Sequence, residues 1–118
     1  LQVPYSPQTH HLIGAVQLAK MKHGAILINS TRGGVVDDAA LVDALKNGRL
    51  RGAGLDVYEN EPKLHPGFLQ LDNVVLAPHV GSSTEATRRA MAMLAARNLV
   101  AALTGQLPPN LINPEARK

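Results

Sequence analysis

Four polar residues stand just past three short apolar runs. Arg32 follows Ala25-Ile26-Leu27-Ile28-Asn29, Asp56 and Glu61 follow Gly52-Ala53-Gly54-Leu55, and His79 follows Val74-Val75-Leu76-Ala77-Pro78. Brought to one edge of a sheet, an arginine, a carboxylate and a histidine suit the reduction of the keto group of a 2-keto acid. A guanidinium is always charged and offers a planar fork of donors, so Arg32 would hold a substrate carboxylate with two hydrogen bonds, which a lysine would not do equally. A histidine can carry a proton near neutral pH, so His79 would donate to the carbonyl oxygen as hydride arrives, and would run backwards for oxidation. A carboxylate behind it would stabilise the charged ring. Glu59 and Glu61 of Tyr58-Glu59-Asn60-Glu61-Pro62 are both candidates, and nothing local chooses between them. Taken singly, each residue reads more readily as surface: an arginine in a glycine-rich turn, a Pro-His at a strand end, a solvated acidic turn. Their convergence carries the expectation.

The scaffold beneath these residues is legible in the pattern of the chain. Pro4-Tyr5-Ser6-Pro7-Gln8-Thr9 is turn chemistry, with Thr9 placed to cap the segment after it, and a short helix is predicted from about Gly14 to Met21. The run Ala25 to Asn29 is continuously apolar up to its last residue, as in strands covered on both faces of a parallel sheet. Asp37 or Asp38 is suited to cap a second helix that places Leu41, Val42 and Leu45 on one face and stops at Gly48. Gly52 to Val57 and Asn73 to Ala77 are predicted as the next strands, with a proline-punctuated loop from Glu61 to Leu69 between them. Ser82 with Glu85 three residues on has the form of a capping box, opening a helix of about 20 residues to Thr104 that Gly105 closes. Strand, helix, strand, helix, strand and long helix describe the second half of a doubly wound α/β sheet, in which ligands bind at the C-terminal strand ends.

Composition narrows the classes. At 118 residues, one core is expected. Apolar residues at 45% and charged residues at 18% exclude a disordered chain or a coiled coil. No apolar run is long enough for a bilayer. The absence of cysteine excludes disulfides, thiolate metal sites and cysteine nucleophiles, and fits a cytoplasmic protein. The net charge of +3 comes from scattered basic residues, and with one Phe and no Trp there is no stacking platform, so no nucleic-acid partner is expected. The chain opens on Leu1-Gln2-Val3-Pro4, like the end of a buried strand, without an initiator Met or a signal-peptide pattern, so further sequence upstream is expected.

Several motifs look informative and are set aside. Gly52-Ala53-Gly54 lacks a third glycine and lies inside a strand, so it is not a phosphate loop. His10 and His11 are adjacent, are expected to point differently, and lack metal-ligand spacing; His23 and His65 have no fixed partner, and no metal site is expected. Arg32-Gly33-Gly34 is one isolated triplet whose glycines let the backbone turn beside a ligand. Met91 and Met93 read as helix packing.

With these residues in view, the chain resembles the D-isomer-specific 2-hydroxyacid dehydrogenase family across almost its whole length. The blocks that carry the resemblance are Pro4 to Thr9, Met21 to Asp37 (MKHGAILINSTRGGVVD), Gly52 to Pro62 (GAGLDVYENEP) and Pro78 to Glu85 (PHVGSSTE). The ending, from Asn98-Leu99 to Asn113-Pro114, looks most like the glyoxylate, hydroxypyruvate and 2-ketogluconate reductase branch. The resemblance implies a Rossmann-like dinucleotide-binding domain in which Arg32 binds substrate, His79 is the acid/base and Glu61, not Glu59, is its partner. It also implies that Asp56 holds the nicotinamide carboxamide, while Val3, Ser30, Thr31, Arg32, His79 and Gly81 line NAD or NADP. Residues 1–104 would be the C-terminal part of the NAD(P)-binding domain and 105–118 a tail packing on a substrate domain outside this chain, leaving apolar surface exposed and the chain alone inactive. A homodimer and a small 2-keto or 2-hydroxy acid substrate are implied as well. The same fold family holds dinucleotide-sensing corepressors, which form the alternative together with a non-catalytic fragment; the reductase-like ending argues against the corepressor, which the presence of Arg32, Glu61 and His79 does not exclude, and the retention of Arg32 and His79 argues against the fragment.

Overall fold

Three parallel strands, β1 (Ala25–Asn29), β2 (Leu50–Leu55) and β3 (Val74–Leu76), lie side by side in that order. The computed structural model describes residues 1–116 and falls into two units, Leu1–Gly81 and the segment from Ser82 onward. In the first unit, helices α1 (Ala15–Lys20) and α2 (Asp38–Lys46) accompany the sheet. Asn29 pairs with Leu55 and Leu55 with Leu76, so the three strands end level with one another. The segments that carry Arg32, Asp56 to Glu61 and His79 therefore leave the sheet along one edge, as the α/β pattern requires.

Helix α2 forms where expected. Asp37 is its cap, its carboxylate accepting the Ala40 amide at 3.0 Å, a contact of the kind that adds about 1 kcal/mol. Leu41, Val42 and Leu45 are buried against Leu27, Leu50, Ala53, Leu55 and Phe68. Each such side chain contributes on the order of 1.5–3 kcal/mol by leaving water. Gly48 ends the helix at φ 66°, the left-handed conformation that glycine adopts without a Cβ penalty. Helix α1 is shorter than predicted because Met21 turns extended, and the guanidinium of Arg49 takes up the carbonyls of Ala19 and Met21.

Some expectations need correction. Thr9 does not cap a helix: its hydroxyl donates to the Pro4 carbonyl and accepts the Ser6 amide, closing the turn before α1. β2 begins two residues early, at Leu50, which is buried and pairs with Ala25 of β1, and it ends at Leu55, two residues short of Val57. The strands are not covered on both faces within this unit. Leu27 and Asn29 are buried, whereas Ile26, Ile28 and Val75 are 54%, 60% and 73% exposed, because α1 and α2 share one hydrophobic cluster on a single side of the sheet.

In the second unit, helix α3 (Glu85–Leu103) starts from Thr84, whose hydroxyl accepts the Thr87 amide, and not from Ser82; Glu85 is thereby the first helical residue instead of the reciprocal member of a capping box. The chain after α3 turns back at Gly105, and the Asn98 amide clasps Asn110 through two hydrogen bonds of 3.0 and 3.1 Å. No residue of α3 is buried, and Leu103 and Ile112 are 78% and 95% exposed. Among the described residues no helix is long and apolar enough to cross a membrane.

Candidate active site

The turn after β1 is built by a buried asparagine. Asn29 accepts the Thr31 amide and hydroxyl through Oδ1 and donates from Nδ2 to the Arg32 carbonyl, which satisfies its own buried polar atoms while fixing Ser30, Thr31 and Arg32. Gly33 comes next because nothing larger fits, and Gly34 because a side chain there would have to displace the Tyr5 ring. A Cβ on Gly33 would lie 1.8 Å from the Tyr58 carbonyl carbon, and one on Gly34 would lie 2.7 Å from the Tyr5 ring. The glycine pair thus allows the Tyr58–Glu61 turn and the Tyr5 ring to close directly on the arginine turn.

The turn after β2 is held at both ends. The Tyr58 hydroxyl donates to the Ala77 carbonyl at 2.7 Å, tying this turn to the end of β3, and the Tyr58 amide donates to Glu61 Oε1 at 2.9 Å. The second oxygen of Glu61 meets His79 Nδ1 at 2.8 Å. Burial pushes the Glu61 carboxyl upward, but the hydrogen bonds from His79 and Tyr58, together with the charges of His79 and Arg32, outweigh it and hold the group below the usual carboxylate range. The Tyr58 phenol is pushed up by burial and by the nearby Asp56 charge, and so stays a neutral donor.

His79 itself sits at φ 54°, a left-handed backbone uncommon outside glycine. Asp56 supports it: Oδ1 accepts the Val80 amide at 2.8 Å and Oδ2 the Gly81 amide at 2.9 Å. With Nδ1 committed to Glu61, Nε2 is the ring nitrogen presented to a ligand.

These turns enclose a cleft of about 930 Å³. Of the residues singled out from sequence, Val3, Ser30, Thr31, Arg32, Glu61 and His79 line it together. Asp56 and Gly81 do not line it; they are bonded to each other beside the His79 turn. Glu59, the other candidate glutamate, lines the cleft too, and Tyr5, His10 and Tyr58 line it without having been expected there.

His10 and His11 depart from expectation. Their rings do not point apart but stack at 3.9 Å, 22° from parallel, because His11 also takes a left-handed backbone, φ 49°. His11 Nε2 meets Glu59 at 2.6 Å, and donor atoms of His10, His11 and Glu59 lie within 4.8 Å of one another. Within this cluster His11 Nε2 is already taken up by the Glu59 carboxylate. A positive φ at histidine leaves no mark in the segment SPQTHHLI that holds it, and the glutamate it meets lies 48 residues away.

Residues 1–81 match the model of the D-isomer specific 2-hydroxyacid dehydrogenase, NAD binding domain, family. The chain is 52% identical over 115 residues to the glyoxylate reductase of Thermococcus litoralis, covering 98% of this chain and 35% of that protein. It is 55% identical over 115 residues to glyoxylate/hydroxypyruvate reductase B of Erwinia tasmaniensis, covering 97% of this chain and 36% of that one. Among solved structures, the NADPH-dependent glyoxylate/hydroxypyruvate reductase of Sinorhizobium meliloti in complex with NADP and malonate superposes with a TM-score of 0.80 at 46% identity, over 86% of this chain and 32% of that chain. The chain thus spans about a third of the length of the curated relatives it matches. The parallel sheet with level strand ends, the cleft at that edge and these matches agree, and the chain belongs to the D-isomer specific 2-hydroxyacid dehydrogenase family, of whose NAD-binding domain it carries the Arg32, Glu61 and His79 portion.

Proposed function

We propose that this chain is the catalytic portion of an NAD(P)-dependent reductase that converts a small 2-keto acid, glyoxylate or hydroxypyruvate foremost and 2-ketogluconate as a further member of the class, into the D-2-hydroxy acid. The observation that carries the reading is the Glu61–His79 hydrogen bond of 2.8 Å in a cleft shared with Arg32. The relatives' names add the substrate class.

The cleft fits the nicotinamide end of the cofactor: its volume is in the range that holds drug-sized ligands, and Val3, Ser30 and Thr31 give it an apolar wall beside hydroxyl donors. When bound, NAD(P)H supplies the hydride. Arg32 holds the substrate carboxylate, setting the keto carbon in place. His79 donates the proton from Nε2 to the carbonyl oxygen, and Glu61, an anion at neutral pH, keeps the ring oriented and favours its charged form. Asp56 fixes the backbone of His79 by taking the two following amides, and the carboxamide contact that the family resemblance implies for it would be made from just past the C-terminal end of β2. The 105–118 segment is the tail that leads to a substrate domain, and a cytoplasmic homodimer is the setting that the family resemblance and the cysteine-free composition support.

The experiment is NAD(P)H oxidation by the full-length protein bearing this chain, with glyoxylate, hydroxypyruvate and 2-ketogluconate in turn. Turnover of at least one is expected. A folded, cofactor-binding protein that reduces none of them would overturn the proposal.

A further inference from the structure

We propose that His11 and Glu59 form a positioning pair: their contact braces the turn that carries Glu61 against the turn that carries Arg32, and so holds the Glu61 carboxylate at His79 Nδ1. The inference rests on the reductase reading above and adds two residues to it that act through Glu61.

The brace is anchored on each side. On the arginine side, the His11 amide donates to the Gly34 carbonyl at 2.8 Å, Ile13 donates to Val35 at 3.1 Å, and Asp37 returns a bond to Ile13 at 3.0 Å. The His11 backbone is therefore fastened to the Arg32–Val35 turn. On the glutamate side, the His11 ring meets Glu59 Oε1 at 2.6 Å, and the Glu59 amide donates to Asp38 Oδ2 at 3.1 Å. Glu59 lies one residue past Tyr58, whose amide is a ligand of Glu61. A shift of the Glu59 peptide thus moves the donor that orients the Glu61 carboxylate.

The groups facing the His11 ring are Glu59 at 2.6 Å, Asp37 at 3.9 Å and the stacked ring of His10, which in turn meets the Tyr5 hydroxyl at 3.2 Å. His11 does not line the cleft. It touches neither Arg32 nor His79 by hydrogen bond, and its effect on the reaction runs through the turn. A left-handed histidine persists only where its surroundings over-determine it, and here two turns do so.

The test uses the full-length protein with hydroxypyruvate, comparing His11→Ala, Glu59→Ala, Glu59→Gln, Glu61→Gln, and His11→Ala combined with Glu61→Gln. A misplacement of catalytic groups by 1 Å costs up to about 100-fold, so His11→Ala and Glu59→Ala should each lower kcat on the order of 10- to 100-fold with a smaller change in KM. Glu59→Gln keeps an acceptor for the ring and should restore most of the rate. In the Glu61→Gln background the His11→Ala loss should vanish, because both act through one carboxylate. Imidazole nitrogen resonances of His79, read by NMR without turnover, should move in His11→Ala in the direction that Glu61→Gln moves them. Unchanged kcat and unchanged His79 resonances in His11→Ala, or an equal loss with and without Glu61, would overturn the brace. If the unmutated protein reduces no 2-keto acid, the reductase reading falls, and the His79 resonances alone decide whether the brace exists.

Discussion

His11 and His79 are the two non-glycine residues with positive φ among the described residues, and each pairs with a glutamate of the same short turn. The difference lies in what each ring has left to offer. His79 gives Nδ1 to Glu61 and keeps Nε2 toward the cleft, with its backbone gripped from behind by Asp56. His11 gives Nε2 to Glu59, has Asp37 at 3.9 Å from Nδ1, and has one face covered by His10. One histidine–glutamate pair presents a ring to a ligand, and the other is closed on the protein. The same local device can serve chemistry or architecture, and the open nitrogen decides which.

Breaking the open pair should have the largest effect. In the full-length protein His79→Ala removes the proposed proton donor, and general acid–base catalysis contributes roughly 100- to 10,000-fold, so kcat with hydroxypyruvate should fall by that order. The side chain is about half exposed, so the melting temperature should move little. A loss under tenfold would remove His79 from the role.

A second substitution strikes both pairs at once. Gly33→Ala would place a Cβ 1.8 Å from the Tyr58 carbonyl carbon, a backbone atom that cannot swing aside. The Tyr58–Glu61 turn must lift from the Arg32 turn, separating Glu59 from His11 and altering the approach of Glu61 to His79. Overpacking of this kind costs about 1–3 kcal/mol, so a lowered urea midpoint together with a fall in kcat is expected. Gly24→Ala, on a glycine with φ 75° and open space around it, provides a control that strains the backbone far from the cleft. Equal kinetic damage from both would mean that the contact of the two turns is irrelevant to the chemistry.

The open pair was legible in the chain and the closed pair was not. Arg32, Glu61 and His79 stand past apolar runs, and runs that end level in a parallel sheet bring such residues to one edge. The residues alone did not separate Glu59 from Glu61, and the geometry explains the tie: both glutamates hold a histidine. The stack of His10 on His11 has no signature in the chain, because neighbouring side chains diverge in ordinary backbone and the residues that hold the left-handed His11, Gly34 and Glu59, are remote in sequence. α3 starts from Thr84 and not Ser82 for a simpler reason: either hydroxyl can cap, and the choice of register is made by the fold and not by local propensity. The uncovered face at Ile26, Ile28 and Val75 was likewise beyond a reading of strand composition, since a continuous apolar run fits cover from any source.

The smallest expected effects concern pH, and they have opposite signs in two carboxylates of this neighbourhood. Glu61 is held below the ordinary range, so it contributes stability above its unfolded value that is lost as pH falls through the folded one. Asp38 is pushed above that range, first by burial and then by the charges of Glu59 and Asp37 against the favourable Glu59 amide and His65; its contribution is present below the unfolded value and is lost as pH rises through the folded one. Chemical unfolding from neutrality down to about pH 4, where unperturbed carboxylates titrate, separates the two. The stability of the unmutated protein relative to Glu61→Gln should shrink as pH falls, while relative to Asp38→Asn it should grow. Asparagine retains an oxygen for the Glu59 amide, so Asp38→Asn leaves that anchor of the closed pair in place and isolates the charge. If both differences grew as pH falls, the Glu61 carboxylate would not be held by His79 and Tyr58 in solution; if both shrank, burial would not govern Asp38, and in either case the contrast between an open pair under charge control and a closed pair under packing control would fail.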